Sequence, residues 1–330
     1  MGDVAVATIV AKNYISFARV LADSLRRHHP ELPFFVLLTD EVDGYFAPEN
    51  EPFSLVQMSE LTISDPARFR RHYSRKQVAA AAKPYLLEHV LERGFGGAIF
   101  LDPDTLVLSD LSEVLALVRR RGIVLTPHLL RPPTGQAAVA RELNILQSGV
   151  YNAGFIGVTD TPGTRRFLAW WQSRVYANCR HEVAAGLYYD QRWLDLVPVF
   201  FDDVSILRDP TCNVAHWNLP ERAVRLDDET FMVDGRPCRF FHFSGFDPDY
   251  PDLVTRYSPR LGAADLGATA LLLQRYAELL VRAGYHETKA WPYAYDNIAQ
   301  SIAGRIWRNL GNLGKSSKLS RSRRRTAAKR

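Results

Sequence analysis

The sequence predicts an α/β fold organised around a sheet with parallel strands. An apolar run, Val4 to Val10, is followed by Tyr14 to His29, where Phe17, Val20, Leu21 and Leu25 recur at helical spacing, and then by a second apolar run, Phe34 to Leu38. Strand, helix and strand at this spacing make the unit from which parallel sheets are built. A further apolar run, Ala98 to Leu101, stops abruptly at Asp102 and Asp104. That reads as a strand delivering charge to the carboxyl edge of a sheet, where open α/β sheets hold their ligands.

Pro30 ends the first helix, and Thr39-Asp40 closes the second strand. Glu41 to Pro66, rich in Pro, Glu and Asp, reads as a loop with one short strand near Phe53 to Gln57. A helix over Arg75 to Glu92 leads through Gly94, Gly96 and Gly97 into the strand that ends at Asp102. Next come a helix around Leu111 to Arg119, a strand over Ile123 to Thr126 and a flexible loop, Pro127 to Gln136, able to lie over a pocket. Gly154 to Val158 reads as a strand, and Pro162 to Tyr176 as a helix carrying Trp170 and Trp171. Helical pattern returns at Ala264 to Ala283 and near Ile298 to Leu310. There are no internal repeats. The chain thus divides into a main domain, 1–260, a helical extension, 261–311, and a basic tail, 312–330, whose Lys, Arg and Ser content predicts disorder.

The 330 residues are 47% hydrophobic and 23% charged, the composition of an ordinary globular protein able to bury a large core. Cys179, Cys212 and Cys238 are far apart and form no C-x-x-C pair, which gives no hint of zinc or of a disulfide framework and fits a reducing, cytoplasmic setting. Asp3 and Lys12 flank the first apolar run, so no signal peptide is expected, and no apolar stretch is long enough to span a bilayer. Eight basic and no acidic residues lie between Lys315 and Arg330; removing those eight charges takes the net charge from +5 to −3. The basicity therefore belongs to the tail, which suits an anionic membrane surface, with Ile302, Ile306, Trp307 and Leu310 just upstream as an interfacial helix; a solvated appendage is the alternative. The basic block has no interleaved aromatics, and no nucleic acid partner is expected.

Alternation along an extended chain turns Asp102 and Asp104 to one side. Two like charges that close call for a cation, and two hard oxygens suit Mg²⁺ or Mn²⁺ better than zinc. The competing reading is a turn whose aspartates cap the next helix near Ser109-Asp110. Asn152-Ala153-Gly154 precedes a strand, where a carboxamide beside a residue without a side chain lets a ligand approach the backbone; an ordinary turn is the alternative. Asp190-Gln191 can hold sugar hydroxyls through paired hydrogen bonds, or Asp190 can cap a helix. Phe240 to Gly245 is an aromatic strand ending at His242, either a ligand for Mn²⁺ or a core histidine. Lys83, on the helix before the aspartates, is a candidate to neutralise a phosphate, or is merely solvated. His28, His29, His72 and His89 read as helix-surface residues.

Taken in order, these motifs resemble retaining glycosyltransferases of the GT-A fold, in particular glycosyltransferase family 8, over about residues 4 to 250. The matching segments are Thr8, Asn13 and Tyr14 after the first strand, a basic residue at Lys83, L-D-x-D-T-L-V at Leu101 to Val107, N-A-G at Asn152 to Gly154, D-Q at Asp190-Gln191 and H-x-x-G at His242 to Gly245. The resemblance implies a Rossmann-like mixed sheet flanked by helices, with C-terminal helices and a basic tail after a nucleotide-sugar transferase domain. It implies a nucleoside diphosphate sugar donor, a UDP-sugar, whose diphosphate is bridged by Mn²⁺ or Mg²⁺ on Asp102, Asp104 and His242. It also implies a nucleobase held by Thr8, Asn13 and Tyr14, and Gly245 beside the diphosphate. Asn152, Ala153, Gly154, Asp190 and Gln191 would contact the donor sugar. Lys83 would add positive charge at the breaking bond, and Asp190 or Gln191 would face the oxocarbenium-like centre. Attack from the front side requires no dedicated base. The acceptor would be a glycan or lipid-linked hydroxyl, met in the cytoplasm or on the inner membrane face.

Two departures stand out. Family members continue from the histidine motif to a Lys-Pro-Trp that touches the donor phosphates, whereas this chain reads Gly245-Phe246-Asp247-Pro248-Asp249. The Gly94 to Gly97 segment also lengthens the spacing from Lys83 to Asp102. Among other readings, a haloacid-dehalogenase-like phosphatase wants a threonine four positions after the first aspartate, and Thr105 is three after Asp102. A sugar-nucleotide pyrophosphorylase needs a glycine-rich first loop, and Ala7 to Tyr14 has no glycine. A degenerate transferase that binds nucleotide sugar without turning it over is the remaining alternative.

Overall fold

The computed structural model describes residues 3–257 and 266–295. In chain order its elements begin β1 (Val4–Val10), α1 (Ile15–His28), β2 (Phe34–Leu38), β3 (Ser54–Gln57), α2 (Pro66–His72), α3 (Arg75–Glu92), β4 (Gly97–Leu101) and β5 (Thr105–Val107). They continue α4 (Ser112–Val118), β6 (Ile123–Pro127), α5 (Ala138–Ser148), β7 (Tyr151–Thr159), α6 (Pro162–Asn178), β8 (His181–Glu182) and β9 (Leu187–Tyr188). After α7 (Val197–Phe200) and β10 (Val204–Ile206) come β11 (Val224–Asp227), β12 (Thr230–Val233), β13 (Arg236–Pro237) and β14 (Phe240–His242), then α8 (Ala268–Arg282) and α9 (Tyr285–Thr288).

Seven strands form the central sheet in the order β10-β6-β7-β4-β1-β2-β3. β1 pairs in parallel with both β2 and β4, as the strand-helix-strand spacing predicts. The sheet is nevertheless mixed, because β7 runs antiparallel to β4 and to β6. Every residue of β1 is buried because both faces of the sheet are covered. Its alternate residues feed two cores: Ala5, Ala7 and Ile9 pack with α3 and α6 on one face, and Val4, Val6 and Val10 pack with α1 and α4 on the other. A third cluster joins α8 to the β14 region, with the Tyr276 ring stacked 3.7 Å from Phe243.

Three features differ from the sequence reading. Asn152, Ala153 and Gly154 do not precede a strand but lie within β7, because the strand starts at Tyr151. No element was expected between Gln136 and Asn152, yet Ala138–Ser148 is helical; α5 has helix-forming residues but buries none of them, so no core-facing stripe announced it. His29 is not a surface residue: it is 4% exposed, and its Nε2 accepts a hydrogen bond from the Leu111 N–H at 2.8 Å. The helix expected near Ile298 to Leu310 and the basic tail lie outside the described residues. No helix among the described residues is long and apolar enough to cross a membrane.

Candidate metal and donor site

β4 ends at Leu101, and Asp102 to Asp104 form a turn closed by the Thr105 N–H donating to the Asp102 carbonyl at 3.1 Å. The two aspartates therefore converge through a turn, not through the alternation of an extended strand. The turn is tied to its neighbours: the Asp102 N–H donates to the Gly154 carbonyl at 2.9 Å, and the Phe243 N–H to the Asp104 carbonyl at 2.7 Å. β14 pairs with β5 so that His242 is opposite Thr105. Sheet register thus carries residue 242 to the aspartates.

His242 Nε2 lies 3.2 Å from Asp104 Oδ1 and 3.7 Å from Asp102 Oδ2. One ligand atom from each of the three residues falls within 4.8 Å of the others. Two carboxylates that remain partly exposed and one buried imidazole converge as a donor set that fits a divalent ion of the Mg²⁺ or Mn²⁺ kind. Without one, burial disfavours the charged imidazole, but the Asp104 carboxylate outweighs that penalty and raises the His242 pKa. Burial likewise opposes the Asp104 carboxylate, and His242, with a smaller share from Lys76, holds its pKa below the usual range.

Lys83 reaches this site from the middle of α3. Its Nζ stands 3.2 Å from Asp102 Oδ1, 3.2 Å from Asp190 Oδ2 and 3.0 Å from the Ala153 carbonyl. Burial favours the neutral amine, yet the two carboxylates outweigh it and keep the pKa above the ordinary lysine value. Asp190 is 3% exposed and its side chain caps no helix; burial raises its pKa, with Lys83 pulling the other way.

Gln191 Oε1 accepts from the Ala153 N–H at 3.1 Å and from Asn152 Nδ2 at 3.2 Å, while its Nε2 donates to the Ser148 carbonyl at 2.8 Å. The β6–β7 register jumps here, from Leu125 opposite Ile156 to Thr126 opposite Asn152. Such a bulge re-aims side chains. Asn152 and the Asp190-Gln191 pair, distant in sequence, are brought together, Gln191 against Asn152 and Asp190 against Lys83.

Thr8 is buried near the carboxyl end of β1, one residue beyond the pair formed by Ala7 and Phe100, and therefore level with the end of β4. Asn13 and Tyr14 follow in the turn before α1, with Tyr14 stacked on Phe17 at 4.8 Å. The Thr8 and Thr105 hydroxyls and Asn13 Oδ1 are buried without a hydrogen-bond partner, an expense that a polar ligand would relieve. Gly245 has φ +75°, and a Cβ there would meet Tyr257 Cε2 at 2.5 Å. It lets the chain fold back over the site.

Sequence reasoning missed Asn213, which is fully buried beside His242, and His128, whose Nε2 lies 3.2 Å from Asn152 Nδ2. It also missed Lys76 and Arg256. Lys76 Nζ lies 3.3 Å from the Tyr257 hydroxyl, and the Arg256 N–H donates to the Gly245 carbonyl at 3.0 Å. Both cations are exposed and occupy the approach to Asp104 and Gly245. A cavity of about 620 Å³ elsewhere, lined in part by Arg19, Ser24, Tyr45 and Trp291, contains none of these groups. Its Arg19 is already bound to Glu51 at 2.6 Å, so chemistry favours the carboxylate site.

No family model matches the chain. It is similar to two uncharacterized proteins of Bacillus subtilis strain 168: YfnF, 24% identical over 256 residues (73% of this chain, 81% of YfnF), and YfnD, 25% identical over 248 residues (73% of this chain, 77% of YfnD). Among solved structures, the galactosyltransferase LgtC in complex with donor and acceptor sugar analogues superposes with a TM-score of 0.50 and 17% identity, covering 89% of this chain and 99% of LgtC. The resemblance to GT-A glycosyltransferases of the family 8 type therefore holds in the fold: a mixed seven-stranded sheet flanked by helices.

Proposed function

We propose that the chain is a metal-dependent, retaining glycosyltransferase that moves a sugar from a nucleoside diphosphate donor, a UDP-sugar, to a hydroxyl of a glycan or lipid-linked acceptor. The observation that carries this is the convergence of Asp102, Asp104 and His242 at the edge of a GT-A type sheet. A divalent ion held there supplies Lewis-acid stabilisation of the leaving diphosphate. Thr8, Asn13 and Tyr14 bind the base, Tyr14 offering a ring for stacking. Lys76 and Arg256, beside Tyr257 and Gly245, neutralise the diphosphate in place of the family's Lys-Pro-Trp, which this chain lacks. Asp190, linked to Asp102 through Lys83, orients the donor sugar together with Asn152, Ala153, Gly154 and Gln191. The tail, if it binds anionic lipid, brings the enzyme to a lipid-linked acceptor.

The test is donor turnover by Asp104→Asn. A folded variant should lose metal-dependent hydrolysis or transfer, EDTA should stop the native chain, and Mn²⁺ or Mg²⁺ should restore it. A folded Asp104→Asn variant with native rates, or full activity in a verified metal-free preparation, would overturn the metal assignment. A thermal-shift screen of nucleotide sugars with Mn²⁺ identifies the donor, and the anomeric configuration of the first product reports retention.

A further inference from the structure

Asn213 lies between β10 and β11 with no exposed surface and a left-handed backbone, φ 54°. Asparagine tolerates that conformation better than most residues. The turn is held by Asn218, whose Nδ2 donates to the Asn213 carbonyl at 3.0 Å and whose Oδ1 accepts from the Ala215 N–H at 2.9 Å. The side-chain amide has all its partners: Nδ2 is 3.1 Å from Thr126 Oγ1 and 3.1 Å from Asn152 Oδ1, and Oδ1 is 3.2 Å from His242 Nδ1.

A backbone group fixes which atom is which. The Gly154 N–H points at the Asn152 side chain at 3.0 Å, and an N–H requires an acceptor, so Asn152 must present Oδ1 there. The Asn213 atom facing that oxygen must then be the donor, Nδ2. What remains toward His242 is Asn213 Oδ1, so His242 Nδ1 must carry a proton. The opposite ring nitrogen, Nε2, is the one directed at Asp102 and Asp104. The far end of Asn152 agrees: its Nδ2 donates to Gln191 Oε1 and to His128 Nε2.

We propose that Asn213 is a positioning residue for the cation site: it accepts the His242 Nδ1–H, fixes the ring's rotation and tautomer, and so keeps the Nε2 lone pair available between the two aspartates. Asn152 acts behind it, transmitting the direction set by the β7 backbone. This rests on the reading of Asp102, Asp104 and His242 as a divalent-cation site. Partners of this kind tune a metal through its ligand, and their loss typically weakens affinity by roughly 10- to 100-fold.

The test uses the full chain and Mn²⁺ alone, titrated calorimetrically, with ring ¹⁵N NMR of His242 in the metal-free and Mg²⁺ forms. Asn213→Gly keeps the backbone conformation and removes the acceptor; Mn²⁺ should bind roughly 10- to 100-fold more weakly and His242 should lose its Nδ1–H preference. Asn213→Asp restores an oxygen facing Nδ1 and should restore the tautomer. Native Mn²⁺ affinity and an unchanged ring spectrum in Asn213→Gly would overturn the proposal. So would a neutral Nε2–H ring in the metal-free native chain, a result that does not depend on any variant folding. A native chain that binds no Mn²⁺ while its ring shows Nδ1–H would instead overturn the cation-site reading.

Discussion

A Cβ built on Gly154 would stand 2.3 Å from His242 Cε1: the imidazole lies against the bare backbone of β7. The glycine makes room for a neighbouring side chain, where the sequence alone points to a ligand. Gly154→Ala should push the ring away from Asp104 and crowd Asn152 Oδ1, which the new carbon would meet at 2.7 Å. Overpacking of this kind costs roughly 1–3 kcal/mol. Urea unfolding should register that loss, and Mn²⁺ titration a weaker site; an alanine variant that binds Mn²⁺ as the native chain does would contradict the packing argument.

Lys83 bridges Asp102 and Asp190 and also holds the Ala153 carbonyl, so its ammonium is engaged before any phosphate arrives. Lys83→Met should leave Asp190 buried and unpaired, a defect worth about 3–5 kcal/mol near pH 7. The loss should shrink at lower pH. Burial already raises the Asp190 pKa above that of an unfolded aspartate, and removing the lysine raises it further, so the folded variant takes up a proton first and gains stability as pH falls. Unfolding at pH 7 and pH 5 reads this out; an equal deficit at both would refute it.

The legible part of the molecule was the part written in continuous patterns. β1, β2 and α3 follow apolar runs and caps, and their boundaries coincide with the sequence reading. The antiparallel entry of β7 was not legible, since an apolar run buried on both faces carries no direction. Asp102, Asp104 and His242 could be named because charge and imidazole end apolar strands. Asn213 could not: it sits in an irregular segment between Cys212 and Val214 with no periodicity, and its role exists only through contacts with Thr126, Asn152 and His242. Lys76 and Arg256 are ordinary surface cations until the fold brings them beside Tyr257 and Gly245.

Lys76 contacts the Tyr257 hydroxyl, and the Tyr257 ring packs where a side chain on residue 245 would lie. Tyr14 and Tyr257 are beside the Arg256 guanidinium, and together they raise its pKa against the opposing effect of burial. Lys76→Ala and Arg256→Ala should each weaken Mn²⁺-dependent binding of a nucleoside diphosphate about tenfold, the effect of one exposed charge-assisted contact worth about 1.5 kcal/mol. Binding of the nucleoside alone should not change, and the native affinity should fall with salt more steeply than that of either variant. Equal losses for nucleoside and diphosphate in calorimetry would place these residues away from the phosphates.

His128 gives the site a pH limit. Its Nδ1 is 3.3 Å from the Val150 carbonyl and its Nε2 faces Asn152 Nδ2, with the Trp217 ring edge-on at 5.2 Å. Burial pushes its pKa down to about 4; the Val150 carbonyl opposes this, and the charges of His242 and Arg222 add to it. A second proton would set an N–H against the Asn152 amide, a donor against a donor. An unfolded histidine titrates near 6.5, so between about pH 6.5 and 4 the unfolded chain binds a proton that the folded ring refuses. The stability associated with His128 should be complete above pH 6.5, decline as pH falls through that window, and level off below 4, on the order of 3 kcal/mol in all. His216, also lowered to about 4 by burial, runs the same way. His242 runs the other way in the metal-free protein, because its raised pKa gives stability that is present below 6.5 and lost as pH rises. Comparing His128→Gln with its parent isolates the first contribution, since His216 and His242 remain in both: the glutamine variant should show a flatter stability curve from pH 6.5 to 4. Parallel curves would mean that the ring accepts its second proton in place, and that the donor pattern running from Gly154 through Asn152 yields to it.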